Sequence, residues 1–312
     1  MLNSERQIVK IIKEICLENN IKLQTYSYDW IMQLIIGDKN VFIFGYQFQN
    51  NNSVADRICE DKSALSGILI KHGIAAVEHK LFMTPKENMK YTGADGNWKS
   101  IVGLLNAHGS LVCKKNDGTG GNDVYKVTGQ LQLEDAVFNI FKSSRTMAVS
   151  PYYEIEDEYR VIILNGEAEL IYRKERPYVT GDGVKTLRQL YTEKYEFQEI
   201  ISDDSDNDID MQEIIPDGGK KYLSWKHNLG KGATAEIVYD SDIGNSLADL
   251  ALSASRTINI SFASVDIIKT EGEYKILEIN SGIMMENFAR INDEYYRIAK
   301  NIYKKAIGQL PV

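Results

Sequence analysis

Two stretches of this chain carry residue types that could do chemistry. The first is a glycine-rich loop, Lys114-Lys115-Asn116-Asp117-Gly118-Thr119-Gly120-Gly121-Asn122-Asp123-Val124. The second is a pair of carboxylates, Asp266 and Glu278, with Asn280 two residues after the glutamate. Glycines let backbone amides approach phosphate oxygens closely, and a lysine adds a compact positive charge. Gly118, Gly120 and Gly121 suit a flexible turn, with Lys114 reaching inward from the strand before it. Two carboxylates and an amide oxygen suit Mg²⁺, which takes hard oxygen ligands beside substrate phosphates. Together these residues predict a site for ATP and Mg²⁺, with Mn²⁺ as a substitute metal. Taken alone, the loop also reads as an ordinary glycine-rich hairpin. It has neither the P-loop spacing nor the dinucleotide-binding fingerprint.

The elements that would position these groups follow from local pattern. Ser4 and Gln7 suit a capping box, and Ile8, Ile11, Ile12 and Ile15 mark an amphipathic helix over 5–18. Residues 30–36 and 41–46 read as a hairpin across Gly37-Asp38-Lys39-Asn40. Residues 54–72 read as helical with a break near Glu60-Asp61-Lys62, followed after Gly73 by a short strand. A helix is expected around Trp98 to Leu105, strands at 111–114, from Val124 and at 147–149, and a helix over 133–141. Tyr159 to Leu164 and Ala168 to Tyr172 form a hairpin at Asn165-Gly166, a strong tight-turn signal. Leu247 to Ile258 and Glu294 to Ile307 read as helices. Ala263 to Ile268 and Tyr274 to Ile279 read as paired strands, an arrangement that brings Asp266 to Glu278 and puts Asn280 on the face of Glu278. Arg160 begins one strand of the tight hairpin and Arg173 ends its neighbour, so both could converge on a phosphate or carboxylate. Lys174 and Arg176 are alternatives to Arg173.

The chain has 312 residues, 43% of them hydrophobic, and a net charge of -8. That size allows two or three compact units. The charge argues against broad contact with nucleic acid or anionic membranes. Cys16, Cys59 and Cys113 are too scattered for a zinc site or disulfide framework and are expected to be buried in a reducing compartment. No stretch is apolar for the ~20 residues a membrane helix needs, and the amino terminus lacks a secretory pattern. A cytoplasmic protein is expected. The acidic run Asp203 to Asp210 reads as a solvated loop. No Ser-His-Asp or Cys-His arrangement is supported, and His227 is expected to be structural.

Lys114 to Val124 resembles the lid motif of the ATP-grasp superfamily. Leu277-Glu278-Ile279-Asn280-Ser281-Gly282 resembles that family's metal-binding strand and turn. Tyr178-Val179-Thr180-Gly181-Asp182-Gly183 and Thr186 to Leu190 are similar to a segment of cyanophycin synthetases and of the glutathione-forming part of fused glutathione enzymes. The resemblance implies an α/β (α+β) three-part fold, with nucleotide held between a small lid and the C-terminal domain. The parts would be an N-terminal α/β domain over 1–84, a lid over 85–153 and a catalytic domain over 154–312. It implies phosphate contacts for Lys114, for the loop glycines and for Lys62, which follows Ser53-Val54-Ala55-Asp56. Ser150 and Tyr152 fall where the hinge receives adenine, and Glu158 where an acid accepts from the ribose. Arg160 matches a substrate- or phosphate-binding position better than Arg173. Lys226 and Asn228 lie near a position that handles phosphate or acylphosphate oxygens. Asp266, Glu278 and Asn280 become the Mg²⁺ ligands.

The resemblance further implies an ATP-dependent carboxylate–amine ligase that releases ADP and phosphate and acts on small molecules or a peptide. A homodimer is expected because related ligases often self-associate. Two other readings stand beside it. One is a ligase or macrocyclase joining side chains of a precursor peptide by amide or ester links. The other is a non-catalytic, ATP-binding regulatory protein.

Overall fold

The computed structural model describes residues 5–84, 96–118, 120–196, 200 and 209–308. The chain begins with helix α1 (Gln7–Glu18) and an antiparallel meander of β1 (Lys22–Tyr26), β2 (Ile31–Ile36), β3 (Lys39–Phe44) and β4 (Gln47–Phe48). Helices α2 (Ser53–Glu60) and α3 (Lys62–Lys71) follow, and Asp61 separates them as the N-cap of α3, accepting from the amide of Ala64 at 2.8 Å. This is the expected break.

Next come β5 (Lys80–Met83), α4 (Trp98–His108), β6 (Leu111–Lys115), β7 (Val124–Val127), α5 (Gln130–Phe141) and β8 (Thr146–Pro151). The four strands form an antiparallel sheet in the order β5-β8-β6-β7. The last part contains β9 (Asp157–Leu164), β10 (Glu167–Glu175), β11 (Tyr178–Thr180), α6 (Leu187–Tyr195), β12 (Lys220–Tyr222) and β13 (Thr234–Ile237). It ends with α7 (Ser241–Ile258), β14 (Phe262–Thr270), β15 (Glu273–Asn280), α8 (Glu286–Ala289) and α9 (Asp293–Gly308). Its main sheet is antiparallel in the order β13-β10-β9-β14-β15. The architecture is a mixed α/β one built on antiparallel sheets.

Strand alternation explains where this sheet opens. On one face Tyr159, Val161, Ile163, Ala263, Val265 and Ile267 pack under Leu247, Ala251 and Ala254 of α7 and Ala55, Leu65 and Leu69 of α2 and α3. The opposite face changes character along β9. Ile162 and Leu164 join Phe262, Leu170 and Tyr172 in a cluster completed by α1, β2, β3 and α9. Toward the start of the same strand, that face carries Glu158 and Arg160 instead. Apolar packing therefore stops where the charges begin, and the cavity lies over the charged half.

Several sequence expectations shift here. The first helix begins at Gln7, and Ser4 lies outside the described residues. In place of a local cap, the amides of Gln7 and Ile8 donate to the Glu286 carboxylate at 2.8 and 3.0 Å. Such an acid complements the positive end of the helix dipole. Strand β1 was not anticipated. It is mostly solvent-facing, so no apolar alternation marks it. The short strand expected to follow Gly73 is β5 at Lys80–Met83, reached past a single bridge between Ala76 and Ile276. Residues 201–208, most of the acidic run, lie outside the described residues. All three cysteines are free and buried, and burial pushes the Cys59 and Cys113 thiols up to about 12. Among the described residues no helix is long and apolar enough to cross a membrane.

Candidate active site

The tight hairpin β9–β10 closes through Asn165 and Gly166, with φ of +48° and +85°, as its Asn-Gly signal requires. Its register sets Tyr172 opposite Arg160 and Lys174 opposite Glu158. Across β14 and β15, Arg160 faces Asp266 and Asp266 faces Glu278. Four strands thus place Glu158, Arg160, Lys174, Asp266 and Glu278 on one face.

These groups form an ionic lattice. Arg160 donates Nε and Nη2 to the two oxygens of Asp266, both at 2.7 Å. Lys174 Nζ lies 3.0 Å from Asp266 Oδ1 and donates to Glu158 Oε1 at 2.5 Å. Burial alone would raise the Asp266 carboxyl, but Arg160 and Lys174 outweigh it and hold the group well below the usual range. Glu158 moves the other way, pushed up by burial and by the charge of Asp266 against the pull of Lys174. Lys174 resists its own desolvation and the repulsion of Arg160 because two carboxylates flank it. His227 is buried with Nδ1 3.5 Å from Glu158 Oε2. Its own burial, then Arg176 and Lys174, push it down to about 3, so it is neutral.

The β5-β8-β6-β7 sheet with its glycine loop, the expected lid, lies opposite. On β6, Leu111 and Cys113 pack into the lid core, so Val112 and Lys114 face the cavity. Burial drives the Lys114 ammonium down to about 8, with Lys62 adding to the effect and Glu278, Glu158 and Asp266 opposing it. Lys62, at the start of α3, donates Nζ to the carbonyl of Gly118 at 2.5 Å. Asn116 reinforces this contact, its side chain accepting from the amide of Ser63 at 3.1 Å. From the other side, Asn228 donates Nδ2 to the carbonyl of Gly120 at 2.7 Å. Gly121 has φ +71°, and a Cβ there would sit 2.9 Å from Asn228 Nδ2, so only glycine fits without displacement. Thr119 is outside the described residues.

The cavity between lid and sheet measures about 730 Å³. Lys62, Lys114, Gly118, Gly120, Gly121, Ser150, Tyr152, Glu158, Arg160, Lys226, Asn228, Asp266, Glu278 and Asn280 all line it. Arg173 does not. It projects from the other sheet face, pairing with Asp157 at 3.2 Å and Glu236 at 2.7 Å, and Lys174 occupies the expected position. One residue of strand parity decides between them. Asn116 lies within the loop but its sequence neighbours do not show its contact with α3, and nothing local ties the aromatic side chains Trp30, Phe44 and Tyr46 to the loop or the carboxylates.

For a metal, the donor set is limited but coherent. Among the described residues no three His, Cys, Asp or Glu side chains gather into a site. Asp266 already accepts three contacts from cations, leaving roughly one of its four lone-pair positions. Glu278 faces the cavity, accepting from Asn280 Nδ2 at 3.1 Å. This set fits an ion that takes one or two carboxylates from the protein and the rest from phosphates and water, as Mg²⁺ does.

Residues 219–304 match the RimK-like ATP-grasp domain. The whole fold matches the bifunctional glutathione synthetase of Pasteurella multocida with a TM-score of 0.59 and 15% identity, over 97% of this chain and 44% of that one. Residues 219–304 are thus similar to an ATP-grasp domain, and the fold as a whole is similar to that of an ATP-grasp ligase. Among curated relatives, the chain is 23% identical over 200 residues to cyanophycin synthetase of Geminocystis herdmanii, covering 57% of this chain and 22% of the relative. It is 27% identical over 155 residues to the tetrahydromethanopterin:alpha-L-glutamate ligase of Methanocaldococcus jannaschii, covering 46% of this chain and 50% of the relative. The chain therefore spans half or less of each of these relatives.

Proposed function

We propose that this chain is an ATP-dependent carboxylate–amine ligase that works through an acylphosphate. The observation that carries the reading is the arrangement of Lys114 and the glycine loop directly across one cavity from Arg160, Lys174, Asp266 and Glu278. A substrate carboxylate oxygen attacks the γ-phosphorus of ATP, and the bond to ADP breaks. An amine nitrogen then attacks the acyl carbon, a proton leaves the nitrogen, and phosphate departs. Lys114, Lys62 and the loop amides would hold the phosphates, and Arg160 and Lys174 would offset charge on the transferring group. Ser150 and Tyr152 would border adenine, and Glu158, though paired with Lys174, would face the ribose. Lys226 and Asn228 would close the lid side, where exclusion of water protects an acylphosphate. Glu278, Asn280 and the remaining face of Asp266 would hold Mg²⁺, or Mn²⁺ in its place. The ion would supply charge neutralisation at the phosphates. The unpaired cysteines support placement in the cytoplasm.

The test is a product assay with ATP, Mg²⁺ and pooled amino acids and short peptides, read by mass spectrometry. ADP, phosphate and an amide-linked product are expected. AMP and pyrophosphate would overturn the mechanism.

Two graded outcomes follow. Arg173→Ala should leave ADP release within about twofold of wild type, since both its ion pairs are solvent-screened. Lys174→Met should lower it by about 100-fold. Lys114 gives a pH signature. The group is charged below about 8 and neutral above it, so kcat/KM for ATP should fall as pH rises through that value. Lys114→Arg should remove this alkaline limb, since a guanidinium stays protonated across the range. A wild-type profile flat from pH ~7 to ~9.5 would contradict the assignment.

A further inference from the structure

The cavity has two ends of different chemistry. The amide of Glu156 donates to the carbonyl of Lys269 at 2.9 Å, which fixes the Ser150–Tyr153 segment at the Glu158 end of the sheet. At the other end β15 runs out through Asn280, Ser281 and Gly282 to the meander, where the amide of Ile283 donates to the carbonyl of Tyr46 at 3.0 Å. There Trp30 meets Phe44 and Tyr46 edge-to-face, both at 6.2 Å. Met284 and Phe288 complete this wall, and Phe288 stacks on Tyr172 at 5.0 Å. The Arg6 guanidinium packs on Trp30 at 4.7 Å and on Tyr46 at 5.6 Å, and it is not among the residues lining the cavity.

Apolar surface remains uncovered here. Phe44 is 54% exposed, Met284 45% and Trp30 42%. The cavity's charged lining residues come from α2, α3, the lid, the sheet floor and Lys226. Among the described residues, none comes from 30–47 or 281–288, where Gln47, Ser281 and Asn287 supply neutral polar groups.

Resting on the ligase reading above, we propose that the substrate joined at this site is an amino acid or peptide whose side chain is aromatic or branched aliphatic. That side chain seats on Trp30, Phe44, Tyr46 and Met284. A charged side chain would lose hydration at this end, where no charged residue among those described lines the cavity and Arg6 is taken up by the rings of Trp30 and Tyr46. An apolar one removes both its own surface and the aromatic wall from water, and an aromatic one gains edge-to-face contact. The neutral polar groups beside the wall suit the backbone amides of such a substrate.

The test uses calorimetric titration of the intact protein, with Mg²⁺ and a non-hydrolysable ATP analogue present, by the dipeptides Leu-Phe and Glu-Glu. Leu-Phe should bind at least about tenfold more tightly than Glu-Glu. Phe44→Ala and Trp30→Ala should each weaken Leu-Phe by about tenfold while leaving the affinity for the ATP analogue unchanged. Phe44 is the more exposed of the two, so its variant guards against a folding artefact, checked by an unchanged melting temperature. Equal or tighter binding of Glu-Glu overturns the proposal. So does no Leu-Phe binding at ~10 mM, or wild-type affinity in a folded Phe44→Ala variant. Tight Leu-Phe binding without ADP release under turnover conditions upholds the subsite and sinks the ligase reading. Efficient ADP release with acidic acceptors does the reverse.

Discussion

Glu278→Gln is expected to lower the rate of ADP release by about 100- to 1,000-fold with the fold intact. Glutamine keeps the size of the side chain and can still accept from Asn280 through its carbonyl oxygen. It loses the negative charge, and a neutral amide is a poorer partner for a hard divalent cation. Glu278 takes no part in the ion pairs that tie Arg160, Lys174, Asp266 and Glu158 together. Its replacement should therefore leave thermal unfolding unchanged. The apparent Mg²⁺ requirement should rise, so a Mg²⁺ titration of ADP release separates this role from that of a solvated acid at a strand end. Wild-type turnover at limiting Mg²⁺ in a natively folded variant would remove Glu278 from the metal site.

What sequence made legible was chiefly local. Asn165-Gly166 announces its hairpin because only a few dipeptides accept two consecutive positive φ values. Glu271 and Gly272, at φ +51° and +76°, close β14 onto β15 in the same way, and this turn is why Asp266 faces Glu278. The Lys114 loop was readable because its lysine and three glycines are neighbours in the chain, and alternation on β6 turns Lys114 toward the cavity. Contacts between distant segments left no such trace. The capping of α1 by Glu286 joins positions far apart in the chain, and neither residue's neighbours hint at the other. Arg173 was misplaced because two adjacent basic residues on a strand point to opposite faces, and only the register with β9 decides which faces the cavity. The aromatic wall was equally silent. Trp30, Phe44 and Tyr46 read as ordinary strand residues until the meander is set against β15. Lys62 illustrates an intermediate case. Its place beside the lid was expected, but the structure has it gripping the carbonyl of Gly118, so it holds the loop as well as facing the cavity.

Asp266→Asn should differ from Glu278→Gln by damaging the fold as well as the chemistry. Asp266 is 2% exposed and is the acid shared by Arg160 and Lys174. Replacing it leaves the buried Lys174 and the partly buried Arg160 with Glu158 as their nearest remaining buried acid, and breaking a buried pair in this way costs about 3–5 kcal/mol. A fall in melting temperature on the order of 10 °C is expected, together with near-complete loss of ADP release. The pH dependence supplies a sign check. Arg160 and Lys174 hold the folded-state carboxyl below its unfolded value, so the stabilisation is fully present above the unfolded value. It is lost as pH falls through the lower, folded-state value. The gap between wild type and Asp266→Asn should accordingly be constant near neutral pH and shrink below pH ~4, where the unfolded chain begins to bind the proton. Adding Arg160→Gln to Asp266→Asn removes one stranded cation, so the double variant should recover part of the lost melting temperature but none of the activity. A single Asp266→Asn variant that melts like wild type at neutral pH would show that this lattice does not hold the sheet floor together. Its effect on turnover would then have to be assigned to metal binding alone.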